Sequence, residues 1–549
     1  MATTPATNLA RLNCAESVIK TMIANGIDTL YCLPGVQNDD FFDALARIGG
    51  AIKPVNARHE QATAYMALGA ALATGKPQAY CVVPGPGFLN TTTALATAQS
   101  LGAPLLAISG QIFEARIGKG LGFLHEIPDQ FGIMKTLTKW AAHIDGPQDA
   151  PAKAREAFRQ LLSGAPGPVG IECGWDMWKQ AADVAFDAEP AKRQTPAIDE
   201  DQIEAAAKLL AASKRPLISA GGGALEASVE IKLLAEMLEA PVMTYRTGAG
   251  VLDQRHYLSQ RIPGGYRLWK TADVVLGVGT RLHQQFEWGT DADMKVIHID
   301  LDPTRLGRIR RPDVGIVADS KEALQALLKR LPRHLAKRAS RKDELAAINK
   351  DAEIEMAPLA PQKRWIDAIR AEVPEDGIVV EELTQVSYCS RVMYPTYAPR
   401  TYISSGYQGT LGWGLNVALG AQVAKPDKKV VSISGDGGFM FGVQELATAA
   451  KHNIPLVSLV FTDNAYGNVR RLQKNNYDGR VIASDLKNPD FVKLGESFGI
   501  HSMRATDPVA LRARMQEALK ADAPALIEIP VGEFPDPWHV FMRPKIRGV

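Results

Sequence analysis

Two stretches of the chain repeat one layout. "ALGAALATGKPQAYCVVPGPGFLNTTTALATAQSLGAPLLAISG" (67–110) and "ALGAQVAKPDKKVVSISGDGGFMFGVQELATAAKHNIPLVSLVF" (418–461) both read helix, strand, glycine turn, helix, then a strand opening with proline. The spacing from Ala67 to the turn glycine Gly85 nearly equals that from Ala418 to Gly435. The next spacing, from Gly85 to the strand proline Pro104 and from Gly435 to Pro455, nearly agrees as well. Any two βαβ units share some of this. Agreement at both spacings favours two related α/β domains flanking a different one. Open parallel sheets bind ligands at the carboxyl ends of their strands, where both glycine turns fall.

The rest of the chain fits that frame. Apolar runs such as "DTLYCLP" and "PLLAISG" alternate with amphipathic segments, the pattern of strands joined by crossover helices. "RPLISAGGGA", "ADVVLGVGTRL" and "KVIHIDLDP" continue it in the middle. The polar, proline-bearing stretch 181–199 reads as a linker. The charge-rich stretch 331–364 reads as a helix running into a second linker. The expectation is an α/β protein of three doubly wound parallel-sheet domains, at 1–185, 195–335 and 365–549. With 62 basic and 60 acidic residues, no strong field points to nucleic acid or an anionic membrane. The start lacks a signal peptide's apolar core, and no apolar run approaches the ~20 residues of a membrane span. Five scattered cysteines form no CxxC pair. A soluble protein of a reducing cytoplasm is expected.

The second repeat carries two acids. "KVVSIS" is a β-branched strand, "GDGG" a turn, and "PLVSLVFT" the returning strand. A right-handed crossover brings Asp436 and Asp463 to one sheet edge. Two hard oxygen donors beside a glycine turn that opens a helix suit Mg²⁺ and a phosphate. Alone, GDG is only a turn and Asp463 only an Asx turn; the spacing from Asp436 to Asp463 strengthens the metal reading. In "NARHEQATAYMALGAALATG" Glu60 sits in the first turn of a helix, where a dipole carboxylate is the plainer reading. Gln111 ends the strand "PLLAISGQ". "GGGA" (221–224) and "GTRLH" (279–283) could cradle FAD or ADP, but no GxGxxG followed by an acid appears, so a structural role is favoured.

Taken together, "RHEQ", "SGQ", "GTLGWGL" and "GDGG…TDNAYG" resemble the motifs of the thiamine diphosphate (ThDP) enzymes, most of all the acetolactate synthase branch, over nearly the whole chain. The resemblance implies pyrimidine-binding, central and diphosphate-binding domains in that order. It implies ThDP and Mg²⁺ as cofactors, with FAD or ADP not favoured. Asp436 matches the metal ligand of the GDG motif. The usual Asn pair is replaced by "TDN"; registering on Gly467 puts Asp463 at the metal position and Ala465 at the carbonyl ligand, with Asn464 out of register. Glu60 matches the glutamate that bonds the aminopyrimidine ring and so generates the C2 carbanion. Leu411 matches the wedge that bends the cofactor. Thr384 and Gln385 match the loop on the outer diphosphate, and Gly435, Gly437 and Gly438 the turn beneath it. Pro84 and Gly85 match the glycine turn facing the cofactor, and Gln111 a glutamine reaching the reacting centre.

The implied activity is cleavage and formation of C–C bonds in a 2-oxoacid or related carbonyl substrate, by decarboxylation and carboligation through a carbanion/enamine. A homodimer or homotetramer with sites between subunits is implied. Relatives devoted to plain decarboxylation often carry histidines where this chain reads "GQIFEA" and "VVPGPG", although His125 could act from elsewhere. The alternatives are a 2-hydroxyacyl-CoA lyase or oxalyl-CoA decarboxylase, and a flavin-dependent oxidase of the pyruvate oxidase type. The stretch "EFPDPWHVFMRPKIRGV" could close over a substrate or pack on the surface.

Overall fold

A computed structural model describes residues 9–548. Three six-stranded sheets, parallel throughout, carry the fold. Their central strands are continuous runs such as Leu105–Gln111 and Val457–Thr462, buried along their whole length. That is what a sheet covered by helices on both faces requires.

The first sheet runs Lys53–Asn56, Thr29–Cys32, Gln78–Val82, Leu105–Gln111, Val169–Gly174, Trp140–Ile144. The third runs Tyr402–Ile403, Ile378–Glu381, Val430–Gly435, Val457–Thr462, Ala525–Pro530, His501–Arg504. Numbered by chain order within each sheet, both are 2-1-3-4-6-5, whereas the middle sheet is 3-2-1-4-5-6. The paired motifs in the sequence therefore belong to two copies of one topology, with a different one between them along the chain.

By contacts the chain forms two compact units. One comprises residues up to 194 with 415–426 and 442–454; the other comprises 195–414, 427–441 and 455 onward. Within the first, the two "ALGA" segments meet. A side chain on Gly69 would collide with the carbonyl of Val417, and one on Gly420 with that of Met66. The contact is reciprocal between equivalent positions, and only glycine lets the backbones approach so closely.

Two expected linkers are more ordered than composition suggested. Ala181–Ala185 is a strand, paired antiparallel with Leu9–Asn13 and burying Val184. Its alternation is too short to stand out without the distant partner. Residues 357–364 are helical: a tight turn, Ala357–Leu359, joins Lys342–Met356 to Ala360–Glu372. All five cysteines are buried and unpaired. Among the described residues no helix is long and apolar enough to cross a membrane.

Candidate functional site

In the third sheet the strand order reverses between Ile378–Glu381 and Val430–Gly435, which lie side by side. Loops leaving the carboxyl ends of such neighbours diverge to opposite faces and open a crevice. A cavity of about 260 Å³ lies there. It is lined by Thr384, Gln385 and Tyr388 beyond the first strand and by Gly435–Gly438 beyond the second, with Leu411, Asp463, Ala465 and Asn468. Every residue expected at the metal, the diphosphate and the wedge lines this one cavity.

Asp436 opens the short helix Asp436–Phe439 and is buried. One carboxylate oxygen accepts from the N–H of Gly437 (2.8 Å). The other accepts from the N–H of Asn464 (2.8 Å) and from Asn488 Nδ2 (2.7 Å). Asp463 follows the neighbouring strand, and its Oδ1 accepts from the N–H of Ala465 (3.2 Å). Burial, then the charge of Asp436, pushes the Asp463 carboxyl up to about 6. Burial likewise raises Asp436 above the usual carboxylate range, against the pull of its N–H donors. Two desolvated acids, one raised further by the charge of the other, are what a divalent cation relieves.

The local backbone separates Asp463 from Asn464. Asn464 is left-handed (φ 54°), a conformation asparagine tolerates. Its carbonyl accepts from the N–H of Leu486 (2.8 Å), and its side-chain oxygen accepts from Asn488 (3.1 Å). Both of its oxygens are thus engaged. The bridge between Ala465 and Asp485 uses the Tyr466 N–H and the Asn464 carbonyl, and so leaves out the carbonyl of Ala465. A side chain on Gly467 would run into Asp463 Oδ2, so glycine there clears room for the carboxylate. Two carboxylates and a carbonyl form a hard oxygen donor set suited to Mg²⁺. The glycines fit too: a Cβ on Gly437 would lie 2.7 Å from the Tyr466 ring, and one on Gly438 2.6 Å from Glu382 Oε1.

Glu382 had no signal in the sequence. It is fully buried, and its Oε1 accepts from the N–H groups of Gly412 (2.6 Å) and Trp413 (3.1 Å), tying the Leu411 loop down. Burial pushes its carboxyl up to about 7 against those bonds. Arg471 and Asn488 were missed for the same reason: each works on a residue far away in sequence. Arg471 Nη1 donates to Gln385 Oε1 (2.6 Å).

The first unit gathers the other expected residues. Glu60 starts the helix Glu60–Thr74 behind the N-cap His59, and its Oε2 accepts from Asn90 Nδ2 (3.0 Å). A Cβ on Gly87 would lie 3.5 Å from Glu60 Oε1, so the carboxylate sits by the turn that contains Pro84 and Gly85. Gly85 is left-handed (φ 58°), and a side chain there would strike the carbonyl of His125. Its N–H donates to Gln130 Oε1 (2.8 Å).

Gln111 is buried at the end of its strand. Its oxygen accepts from the N–H of Ile112 (2.8 Å), and its nitrogen lies 3.5 Å from Glu172. Glu172 also accepts from Gln130 (2.9 Å) and bonds His143 (3.0 Å). Burial opposes charge on His143, but Glu172 and Glu114 on either side outweigh it and push the imidazole up to about 9. In the middle sheet a Cβ on Gly223 would lie 2.8 Å from Gly279 Cα. The glycines of "GGGA" and "GTRLH" thus allow two turns to touch.

Comparison with known proteins agrees with this geometry. Residues 12–133, 203–327 and 384–529 match the N-terminal TPP binding, central and C-terminal TPP binding domains of thiamine pyrophosphate enzymes. The chain is 32% identical to a probable 2-ketoarginine decarboxylase of Pseudomonas aeruginosa, over 94% of each chain. It is 33% identical to a probable acetolactate synthase large subunit of Methanocaldococcus jannaschii, over 94% of this chain and 91% of that one. It is 30% identical to the acetolactate synthase isozyme 1 large subunit of Escherichia coli, over 94% of each.

Proposed function

Because the chain belongs to the thiamine pyrophosphate enzyme family and is acetolactate synthase-like, we propose that it is a Mg²⁺-dependent enzyme that decarboxylates a 2-oxoacid or related carbonyl substrate and joins the product to a second carbonyl. One observation carries this reading: Asp436, Asp463, Ala465, Thr384, Gln385, Leu411 and the Gly435–Gly438 turn line a single cavity at a strand-order reversal.

Asp436, Asp463 and the carbonyl of Ala465 would hold Mg²⁺. Gly437 and Gly438, at the start of a helical turn, would present N–H groups to the diphosphate, with Thr384 and Gln385 at its outer end. Leu411 would wedge between the cofactor rings. When bound, ThDP supplies the carbon that adds to the substrate carbonyl and takes the electron pair as CO₂ leaves. Glu60 is assigned the proton exchanged with the aminopyrimidine nitrogen, and the turn at Pro84 and Gly85 the ring beside it. Gln111 is assigned to the reacting centre. We place the pyrimidine-binding domain at 1–185, the central domain at 195–335 and the diphosphate-binding domain at 365–549. A homodimer or homotetramer, in which one subunit gives Glu60 and another the metal site, completes the proposal, in a reducing cytoplasm that suits five buried thiols.

A second reading, decarboxylation alone, draws support from His125, which is half-buried over the Gly85 turn where a proton donor could act. The test is a screen of 2-oxoacids with saturating ThDP and Mg²⁺, following CO₂ and ketol products. Ketol formation supports the first reading, and aldehyde alone the second. No turnover with any 2-oxoacid overturns both.

A further inference from the structure

We infer that Asn468 is an oriented amide donor to an anionic oxygen group bound in the 260 Å³ cavity, and that Trp538 is the positioning residue that sets its orientation. The inference rests on the reading of that cavity given above. Asn468 lies on the cavity wall, as the second residue of the helix Gly467–Asn476. Trp538 Nε1 donates to Asn468 Oδ1 at 2.9 Å. An indole N–H can only donate, so the amide oxygen must face it. The amide nitrogen, with two N–H groups, is turned the other way.

Trp538 is itself held in place. Its ring packs on Tyr388 of the cavity wall (5.1 Å between centroids) and on Phe541 (6.0 Å). Its backbone N–H donates to Asp536 (2.8 Å). The segment around it is tied down from elsewhere in the unit: Gln362 donates to the carbonyl of Pro535 (2.7 Å), Gln284 to that of Phe541 (2.8 Å), and Arg471 to that of Phe534.

The same device recurs at Gln385, another residue of the cavity wall. Arg471, buried, donates to its oxygen at 2.6 Å, and a guanidinium has no acceptor. Gln385 is thereby also left with only N–H groups to offer. With both amide oxygens facing donor-only partners, Asn468 and Gln385 each turn an NH₂ group away from that partner, two amide donors on a wall whose acids lie at Asp436 and Asp463. Gln385 already has an expected role at the diphosphate; Asn468 had none. The ligand is a group with anionic oxygens, either the diphosphate of the cofactor or the carboxylate of a 2-oxoacid.

The test is calorimetric binding to the full chain. Inorganic pyrophosphate with Mg²⁺ probes the first source, and pyruvate added to the ThDP-loaded enzyme probes the second. Asn468→Asp keeps an acceptor for Trp538 and replaces the donor with a charge; Asn468→Ser removes the amide without adding one. Both should weaken one ligand by about tenfold or more, the loss of a charge-assisted hydrogen bond. Loss of pyrophosphate affinity assigns Asn468 to the diphosphate. Loss of pyruvate affinity with pyrophosphate unchanged assigns it to the substrate carboxylate. Trp538→Phe, which keeps the packing and removes the N–H, should weaken the same ligand and add nothing in the double variant with Asn468→Asp. Both affinities within about twofold of wild type in the two Asn468 variants, or an additive effect of Trp538→Phe, would overturn the inference. Failure of the wild-type chain to bind ThDP would instead overturn the function proposed above.

Discussion

The first and third sheets share one strand order and differ where their loops leave the strands. Beyond Gln78–Val82 the chain makes an uncharged turn, with left-handed Gly85 pressed under the carbonyl of His125. Beyond the equivalent strand Val430–Gly435 it places Asp436 in a helical turn. Beyond the fourth strand the first sheet ends in the neutral, internally bonded Gln111, and the third passes straight into Asp463. The scaffold fixes where a loop can meet a ligand, and a few residues at the strand ends decide which ligand chemistry is met. One copy sets neutral groups at these strand ends; the other gathers two acids.

The sharpest way to break the comparison is to remove the acid from the side that should exchange protons. Glu60→Gln is expected to cut turnover by about a hundredfold or more, the usual scale of general acid–base catalysis, while ThDP affinity holds. A loss of affinity equal to the loss of turnover would make Glu60 a binding residue only. Next in size, Asp463→Ala should weaken Mg²⁺-dependent ThDP binding by about 10- to 100-fold, and Asn464→Ala by only a few-fold. Metal titrations of both variants check the order; the reverse order would move the ligand to Asn464.

The reciprocal contact of the two "ALGA" helices gives a prediction on stability. Gly420→Ala sets a methyl against the carbonyl of Met66, and Gly69→Ala one against that of Val417. Each should cost about 1–3 kcal/mol in urea unfolding, the usual cost of overpacking. Unchanged midpoints would mean the helices do not approach so closely.

The one pH-dependent effect concerns His143, held between Glu172 and Glu114 with its imidazole raised to about 9. A histidine raised in the folded state stabilises fully below its unfolded value of about 6.5 and loses that contribution as pH rises through the folded value. His143→Gln should therefore destabilise by up to about 3 kcal/mol at pH 6, and by much less near pH 10. Unfolding at the two pH values checks the sign.

Much of this was legible in the order of residues. "VVSIS" is a β-branched run and "PLVSLVF" an apolar one that no solvated helix would carry. Counting back from Gly467 makes Asp463 the expected metal ligand, which stays a proposal; the hydrogen bonds already made by both oxygens of Asn464 support it. What stayed hidden depends on partners far along the chain. Asn488 holds Asp436 from 52 residues away, Arg471 holds Gln385 from 86, and Trp538 orients Asn468 from 70. Glu382 looked like one more acid after a strand until its N–H partners in the Leu411 loop were in place. Local periodicity has no access to such pairs, nor to the strand Ala181–Ala185, which exists only through Leu9–Asn13.

In the proposed function Asp436 and its neighbours clamp a diphosphate through a divalent cation. Calorimetric titration of ThDP into metal-stripped full-length protein, with and without Mg²⁺, tests it most directly when repeated on Asp436→Ala. Binding that requires Mg²⁺ in the wild type and disappears in the variant is the predicted result. Binding that is indifferent to Mg²⁺, or that survives intact in Asp436→Ala, would contradict it.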